Sequence, residues 1–110
     1  PVSGNIFKIF KDKKTSLGFL QNGKKEGLWT DWYKNGQKRY EGNYKGGKLI
    51  DLIGWYKNGQ KKVEGTWKDG RREGVYTTYF KNGQKMDEET FRDGELISEL
   101  KWNKDGSVKE

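Results

Sequence analysis

The chain of 110 residues contains no cysteine and no histidine, and its single proline is Pro1. Without cysteine it can form neither a disulfide scaffold nor a zinc–thiolate site. Without histidine it also lacks the usual partner of a catalytic nucleophile and the commonest transition-metal ligand. We therefore expect no enzymatic activity, no cofactor and no metal. No apolar run approaches membrane-spanning length.

Aliphatic residues are also scarce, but aromatic residues are not. Hydrophobic residues make up 30% of the chain and the mean hydropathy is −1.20, values that on their own would suggest disorder. Against this, 15% of the residues are aromatic, including five tryptophans, and each aromatic ring supplies a large packing surface. This composition predicts a thin structure in which aromatic side chains pack locally.

The net charge of +7 is unevenly distributed along the chain. Residues 1–85 hold 19 basic and 8 acidic side chains, whereas residues 86–110 hold 4 basic and 8 acidic ones. The basic residues flank the predicted turns and favour a rim for an acidic protein or an anionic surface, although solubility alone would also explain them. The acidic run 87–89 is interpreted as a solvated strand.

The strongest signal is a repeated turn motif. The segment Trp-Tyr-Lys-Asn-Gly-Gln-Lys at 32–38 recurs at 55–61 and, with substitutions, at 79–85 and 102–108. Its glycines, at 36, 59, 83 and 106, step by 23, 24 and 23 residues. Asn-Gly, Gly-Gly or Asp-Gly pairs alternate with these copies, the first pair preceding the first copy, at 22–23, 46–47, 69–70 and 93–94.

Such pairs favour two-residue type I′ turns, and the segments between them are rich in strand-forming residues. The spacing predicts an all-β fold: one elongated, twisted antiparallel meander of nine or ten strands. We interpret residues 1–110 as a single repeat domain with copies at about 5–23, 24–47, 48–70, 71–94 and 95–110, the end copies being degenerate caps.

Register follows from the turns. If Asn35-Gly36 is a two-residue loop, Tyr33 pairs with Lys38, Asp31 with Tyr40 and Trp29 with Gly42, and we expect the Trp29 indole to cover that glycine. Because the arms 48–57 and 95–104 are one residue shorter than 24–34 and 71–81, a β-bulge is predicted within 51–54, with Gly54 favoured as its special residue.

These residues resemble the MORN repeat in its bacterial variant form. The match is clearest in Gly-Lys-Lys-Glu-Gly-Leu-Trp at 23–29, Tyr-Lys-Asn-Gly-Gln at 33–37 and Glu-Gly-Asn-Tyr at 41–44, with further copies from Gly47 and Gly70. The resemblance covers about residues 14–106. Lys13 and Glu89 depart from it, each replacing a glycine. It implies a ribbon-like sheet used for protein or membrane-surface association, in proteins often regarded as antitoxins or immunity proteins.

Alternation places two aromatic sets on opposite faces. Tyr40, Tyr44, Val63, Trp67 and Phe91 are expected to pack on the sheet. The candidate partner-binding residues are the expected exposed ladder and two neighbouring basic residues on the same face: Trp32, Arg39, Trp55, Lys62, Tyr79 and Trp102.

The leading hypothesis is a protein-binding module that masks a toxin-like, acidic partner. The alternatives are a cell-surface or membrane-associated protein that recognises anionic lipid, or one that recognises envelope glycan by stacking sugar rings on its tryptophans. Nucleic acid is disfavoured, and homo-oligomers could form through the edge strands. Bacterial cytoplasm and cell envelope both fit, since a chain beginning at Pro1 is compatible with a removed signal segment.

Overall fold

A computed structural model describes residues 3–10 and 13–110. The described residues form ten strands joined into one antiparallel sheet, which confirms the predicted fold class. The strands are β1 (Gly4–Phe10), β2 (Lys13–Gln21), β3 (Lys24–Trp32), β4 (Lys38–Lys45), β5 (Lys48–Trp55), β6 (Lys61–Lys68), β7 (Arg71–Arg72), β8 (Gly74–Tyr79), β9 (Lys85–Arg92) and β10 (Glu95–Lys101). Strands β1 to β6 pair in chain order, β6 then pairs with β8, and β8, β9 and β10 follow in order, while the short β7 pairs only with β6.

The sheet is a single layer. Its principal extents are 50 × 35 × 10 Å. Two sheets packed face to face would already be about 10 Å apart, so the smallest extent leaves no room for a second layer. Among the described side chains, Val63 and Phe91 are the buried apolar ones. Stability must therefore come from contacts between adjacent strands on each face rather than from a core enclosed between layers.

Two kinds of turn alternate along the chain. At Asn22-Gly23, Asp69-Gly70 and the two equivalent turns both central residues have positive φ, as the type I′ prediction requires. At the Asn35-Gly36 turn only the glycine does, with φ of 88°. There the Gly36 N–H donates to the Tyr33 carbonyl at 3.0 Å, and the Tyr33 N–H donates to the Gln37 carbonyl at 2.8 Å. This is a type I turn followed by a left-handed glycine.

The type I′ prediction was therefore wrong at the motif Lys-Asn-Gly-Gln, and so was the pairing of Tyr33 with Lys38. Lys38 pairs with Trp32 instead. The physical reason lies in the asparagine: its Oδ1 accepts the Gln37 N–H at 2.9 Å, a local bond that favours the type I geometry. The pairs Asp31–Tyr40 and Trp29–Gly42 are confirmed.

A β-bulge follows each of these three-residue turns. In β4 the register passes from Lys38 to Tyr40, in β6 from Lys61 to Val63 and in β9 from Lys85 to Asp87. The extra residues are Arg39, Lys62 and Met86. A bulge places an additional residue opposite one partner, so that side chains three residues apart come to lie on one face.

The bulge lies outside the predicted range 51–54, one residue before Asp51 and four before Gly54, so its predicted position was wrong. In β5, Leu49 pairs with Tyr44 and Asp51 with Asn43, which leaves Ile50 as the extra residue. Gly54 is special for a different reason: a Cβ there would lie 2.7 Å from Tyr40 Cε1. The longer arms, 24–34 and 71–81, accommodate their additional residue by a backbone irregularity near Gly27 and Gly74, which have positive φ of 71° and 79°.

Glycines inside the strands make room for aromatic rings. The Trp29 indole lies over Gly18 rather than over its paired Gly42, and a Cβ on Gly18 would lie 2.3 Å from Trp29 Cδ2. The expected ring-over-glycine contact thus forms with the strand on the other side of β3. The space above Gly42 is taken by Leu49 and Tyr44, whose atoms would lie 2.9 and 3.1 Å from a Cβ.

Candidate binding surface

One side of the sheet, here called the packed face, carries the aromatic side chains that cover the strand glycines. Val63 and Phe91 are buried there as expected, and the Trp67 and Tyr76 rings meet edge to face with centroids 5.8 Å apart. Tyr76 also covers Gly65, where a Cβ would lie 2.4 Å from the ring. The packed face is therefore already covered by aromatic rings of the chain itself.

Two basic side chains lie over the aromatic rings of the packed face. The Arg72 guanidinium lies 4.3 Å from the Tyr76 ring centroid and 5.2 Å from that of Phe91. Forty-seven residues earlier, the Lys25 ammonium lies 4.9 Å from the centroids of both Trp29 and Tyr44. Each cation covers two rings, a favourable electrostatic arrangement.

The opposite side, here called the row face, carries the aromatic row Trp32, Trp55, Tyr79 and Trp102. Strand alternation from Thr30, Ile53 and Thr77 places the first three there. These four side chains were expected to be exposed, but all are half-buried. Their neighbours explain this. The Tyr79 hydroxyl donates to the Glu64 carboxylate, and the Lys85 ammonium lies 5.8 Å from the Trp102 ring centroid.

Ion pairs run beside the aromatic row. Lys38–Glu41, Lys61–Glu64 and Lys85–Glu88 join at 2.9, 3.2 and 2.8 Å. Each pair spans a bulge, which is why residues three apart meet on one face. These pairs were not predicted from the sequence, although the Lys-x-x-Glu spacing recurs at 38–41, 61–64 and 85–88.

Arg39 and Lys62 do not lie with the aromatic row as the simple alternation predicted. Both are the extra residue of a bulge and turn toward the packed face. Arg39 pairs with the Asp31 carboxylate, its Nε at 2.7 Å, and its guanidinium lies 6.0 Å from the Tyr33 ring centroid. Lys62 lies 5.8 Å from the Tyr56 ring centroid. The six predicted residues are thus divided between the two faces.

The Tyr79–Glu64 contact perturbs both groups. Its hydrogen bond lowers the pKa of the Glu64 carboxyl, an effect that Lys61 reinforces. Burial together with the same bond raises the pKa of the Tyr79 phenol to about 12. The contact therefore depends on an ionised carboxylate and a protonated phenol.

An acidic cluster lies at the β10 side of the packed face. Carboxylate oxygens of Asp87, Glu89 and Glu99 lie within 4.8 Å of one another, and the Lys101 ammonium is 3.9 Å from Asp87. Burial raises the pKa of both Asp87 and Glu89, and the neighbouring carboxylates raise it further. Strand alternation places Glu88 on the other face, where it pairs with Lys85.

The turns of the type I set carry a second row, of lysines, along one end of the strands. These exposed residues, here called the turn lysines, are Lys34, Lys57, Lys81 and Lys104. Their backbone carbonyls help to hold adjacent turns together: Asn58 and Asn82 donate from Nδ2 to the carbonyls of Lys81 and Lys104, both at 2.8 Å. Adjacent strands lie about 4.8 Å apart, so successive turn lysines are about 10 Å apart.

Comparison with protein families agrees with this geometry. The MORN repeat variant model matches residues 25–45, 51–69 and 72–93, more than half of the chain. The chain belongs to this family. MORN repeats are generally protein- or membrane-binding modules. The matched segments cover β4, β6 and β9, whose bulges position the Lys–Glu pairs.

Searches of curated proteins and of solved structures gave no match. Within residues 3–10 and 13–110, no helix has the length and hydropathy needed to cross a membrane.

Proposed function

We propose that this MORN repeat variant chain is a non-enzymatic protein-binding module whose contact surface is the row face. The observation that carries the proposal is the aromatic row itself: four large rings at regular spacing, each next to a lysine, a glutamate or both. Aromatic side chains beside fixed charges are typical of binding hot spots. The packed face is a weaker candidate because its rings already cover glycines and cations.

The dimensions suit a protein partner. A face of 50 × 35 Å exceeds the roughly 800 Å² that each partner contributes to an interface of standard size. Half-buried rings are held in place before binding, which reduces the entropy lost on association. The net charge of +7 would steer an acidic partner toward the sheet.

In its finer form the proposal is that the partner is a toxin-like protein and that the broad sheet masks its active surface. This form draws its support from the family resemblance and the positive charge. The experiment is co-purification with the product of a neighbouring toxin-like gene, followed by calorimetry with Trp55→Ala. We expect at least a tenfold loss of affinity, the usual consequence of truncating a hot spot.

Leu28→Ala is the matched control. Leu28 is 58% exposed and lies on the same face outside the row, so its truncation should change affinity little. Unchanged binding by Trp55→Ala and by Trp32→Ala would contradict the proposed surface. Binding that leaves the toxin active would contradict only the masking role.

A second candidate function is association with an anionic lipid surface through the turn lysines. The supporting observation is their placement in one row, since the described ion pairs give none of the four an acidic partner. Co-sedimentation with vesicles containing phosphatidylserine should be salt-sensitive and should fall on replacing Lys57 and Lys81 by glutamate. Equal sedimentation of this variant and the parent would rule the lipid role out.

A further inference from the structure

The aromatic row and the lysines of the ion pairs form one strip across the strands of the row face. In three hairpins the ring pairs directly with the lysine of the next strand. The Trp102 N–H donates to the carbonyl of Met86, the residue after Lys85, at 3.0 Å. In sheet order the strip reads Trp32, Lys38, Trp55, Lys61, Tyr79, Lys85 and Trp102. Neighbouring rings are therefore two strands, or about 10 Å, apart.

Tyr79 shows what each unit of the strip contains. Its hydroxyl donates to the Glu64 carboxylate, which also accepts the Lys61 ammonium at 3.2 Å. The lysine–glutamate pair recurs beside the other rings, and the three lysine side chains are 50%, 49% and 49% exposed. They therefore keep N–H groups that can donate to a ligand. Each unit combines an aromatic ring with a donor and an acceptor, and its pair carries no net charge.

An uncharged ligand rich in hydroxyl groups suits such units. A hydroxyl group both donates and accepts, so it can bond to the ammonium and to the carboxylate of one pair. The C–H groups on the flat face of a sugar ring stack on the negatively polarised face of an aromatic ring. Single-stranded nucleic acid suits the strip less well, because stacking proteins hold it in a positively charged groove, whereas these lysines are neutralised by glutamates.

We propose that the row face binds an extended, uncharged polysaccharide of β-1,4-linked sugars, which lies along the aromatic row and crosses the strands. In such a chain successive sugars are turned over, so every second sugar presents the same face. Two sugar units span about the 10 Å that separates neighbouring rings. Each ring then stacks on every second sugar, and the lysine–glutamate pair between two rings bonds to hydroxyl groups of the sugar in between. The polysaccharide would share the row with the proposed protein partner, but its binding does not depend on that partner.

Soluble hexasaccharides and the full chain provide the test. Cellohexaose and the hexamer of β-1,4-linked N-acetylglucosamine are the two probes, and the tighter binder identifies the sugar. Maltohexaose is the matched control, because it has the composition of cellohexaose but α-1,4 linkages, which coil the chain. By isothermal titration calorimetry we expect at least one probe to bind at least about tenfold more tightly than maltohexaose, the gain expected from stacking one more ring.

Chain length supplies a second readout. Within the series of disaccharide, tetrasaccharide and hexasaccharide, affinity should rise at each step, because every added pair of sugars reaches one more ring. Raising the salt concentration should change the affinity little, since the ligand is uncharged. Binding through the turn lysines would behave in the opposite way and would weaken as salt is added.

Trp55→Ala should weaken binding of the tighter hexasaccharide by at least about tenfold, while Trp55→Phe, which keeps a ring, should retain most of the affinity. Leu28→Ala, on the same face outside the row, is the control variant and should leave binding unchanged. Circular dichroism checks that each variant stays folded. Trp32→Ala repeats the test at the neighbouring ring if Trp55→Ala does not fold.

Four results would overturn the proposal: no binding of either β-1,4 hexasaccharide, equal binding of maltohexaose, an affinity that does not rise with chain length, or an equal loss in Leu28→Ala and Trp55→Ala. Binding that salt abolishes would also overturn it, because the contact would then be ionic. The sugar titrations contain no protein partner, so their failure leaves the proposed protein-binding function standing. Failure of co-purification with a protein partner likewise leaves the sugar titrations interpretable.

Discussion

The phenol of Tyr56 donates a 2.7 Å hydrogen bond to the backbone carbonyl of Tyr79, on the hairpin that follows. Tyr33 makes the same bond to the Trp55 carbonyl at 2.6 Å. Each phenol thus reaches from one turn to the strand end of the next repeat. The third copy of the motif carries Phe80 at this position, which has no hydroxyl group.

Phe80→Tyr should therefore stabilise the sheet. The new hydroxyl would be placed to donate to the Trp102 carbonyl, as Tyr56 donates to that of Tyr79. A hydrogen bond of this kind contributes about 1 kcal/mol, and Tyr56→Phe should cost a similar amount. Urea denaturation of both variants measures the two changes. If Tyr56→Phe loses stability but Phe80→Tyr gains none, the Trp102 carbonyl is not aligned with residue 80 as the Tyr79 carbonyl is with Tyr56.

The Asn58 side chain makes two hydrogen bonds, and a single substitution can remove one of them while keeping the other. Its Oδ1 accepts the Gln60 N–H at 2.9 Å, and its Nδ2 donates to the Lys81 carbonyl of the next turn at 2.8 Å. Asn58→Asp keeps the acceptor and removes the donor, so we expect a loss of about 1 kcal/mol in unfolding free energy. Asn58→Ala removes both and should cost about 2 kcal/mol.

The last turn provides the control for this prediction. Asp105 stands at the corresponding position, and its Oδ1 accepts the Ser107 N–H at 2.9 Å. Among the described residues no further turn follows to accept a donated bond, so Asp105→Asn should leave stability nearly unchanged. An Asp105→Asn variant stabilised as much as Asn58→Asp is destabilised would indicate an effect of charge rather than of the lost donor.

The fold could be predicted because glycine turns fix strand length and strand order at once. Positive φ at Gly23 or Gly70 is a local requirement that the dipeptide alone reveals. The type I turns were harder to predict, since Asn35-Gly36 suits both turn types and only the bond from Gln37 N–H to the Asn35 side chain decides between them. One additional turn residue then shifts the register of the next strand.

The candidate surface was only partly predictable for the same reason. No extra residue lies between Thr30 and Trp32 or between Ile53 and Trp55, so alternation holds there and both tryptophans reach the predicted face. Arg39 and Lys62 are bulge residues, so an assignment that assumes strict alternation of side chains along the strand places them on the wrong face. The burial of Tyr79 depends on Glu64 in a neighbouring strand, a contact that appears only once the register is known.

Gly65 should not tolerate a side chain. A Cβ there would lie 2.4 Å from the Tyr76 ring, so Gly65→Ala must displace the ring and should cost about 1–3 kcal/mol. In a Tyr76→Ala background the space is free, and the same substitution should cost much less. A double-mutant cycle by urea denaturation measures the difference. Equal costs in the two backgrounds would mean that backbone effects, not the ring, exclude a side chain.

Tyr79→Phe should change how stability responds to acid. The hydrogen bond lowers the pKa of Glu64 in the folded chain, so its contribution is present above the ordinary pKa near 4.5 and is lost as the pH falls through the lowered value. The group is largely solvated, and we expect only a few tenths of a kcal/mol. The parent should therefore exceed Tyr79→Phe in stability more at pH 7 than at pH 3, as measured by urea denaturation. A difference independent of pH would assign the contact to packing alone.

Glu89→Gln should have the opposite pH dependence. Burial and the adjacent carboxylates raise the pKa of Glu89, so the folded chain holds this proton more tightly than the unfolded chain does. Stability then falls as the pH rises from the ordinary pKa through the raised one, and the ionised group is unfavourable at pH 7. Glutamine removes the charge and keeps the shape, so the variant should be more stable than the parent at pH 7 by a few tenths of a kcal/mol. The difference should vanish near pH 3, where the parent is protonated in both states.

Glu95→Gln, an exposed β10 position outside the cluster, serves as the matched control. Equal stabilisation by Glu95→Gln would mean that general relief of negative charge, not the cluster around Asp87, is responsible.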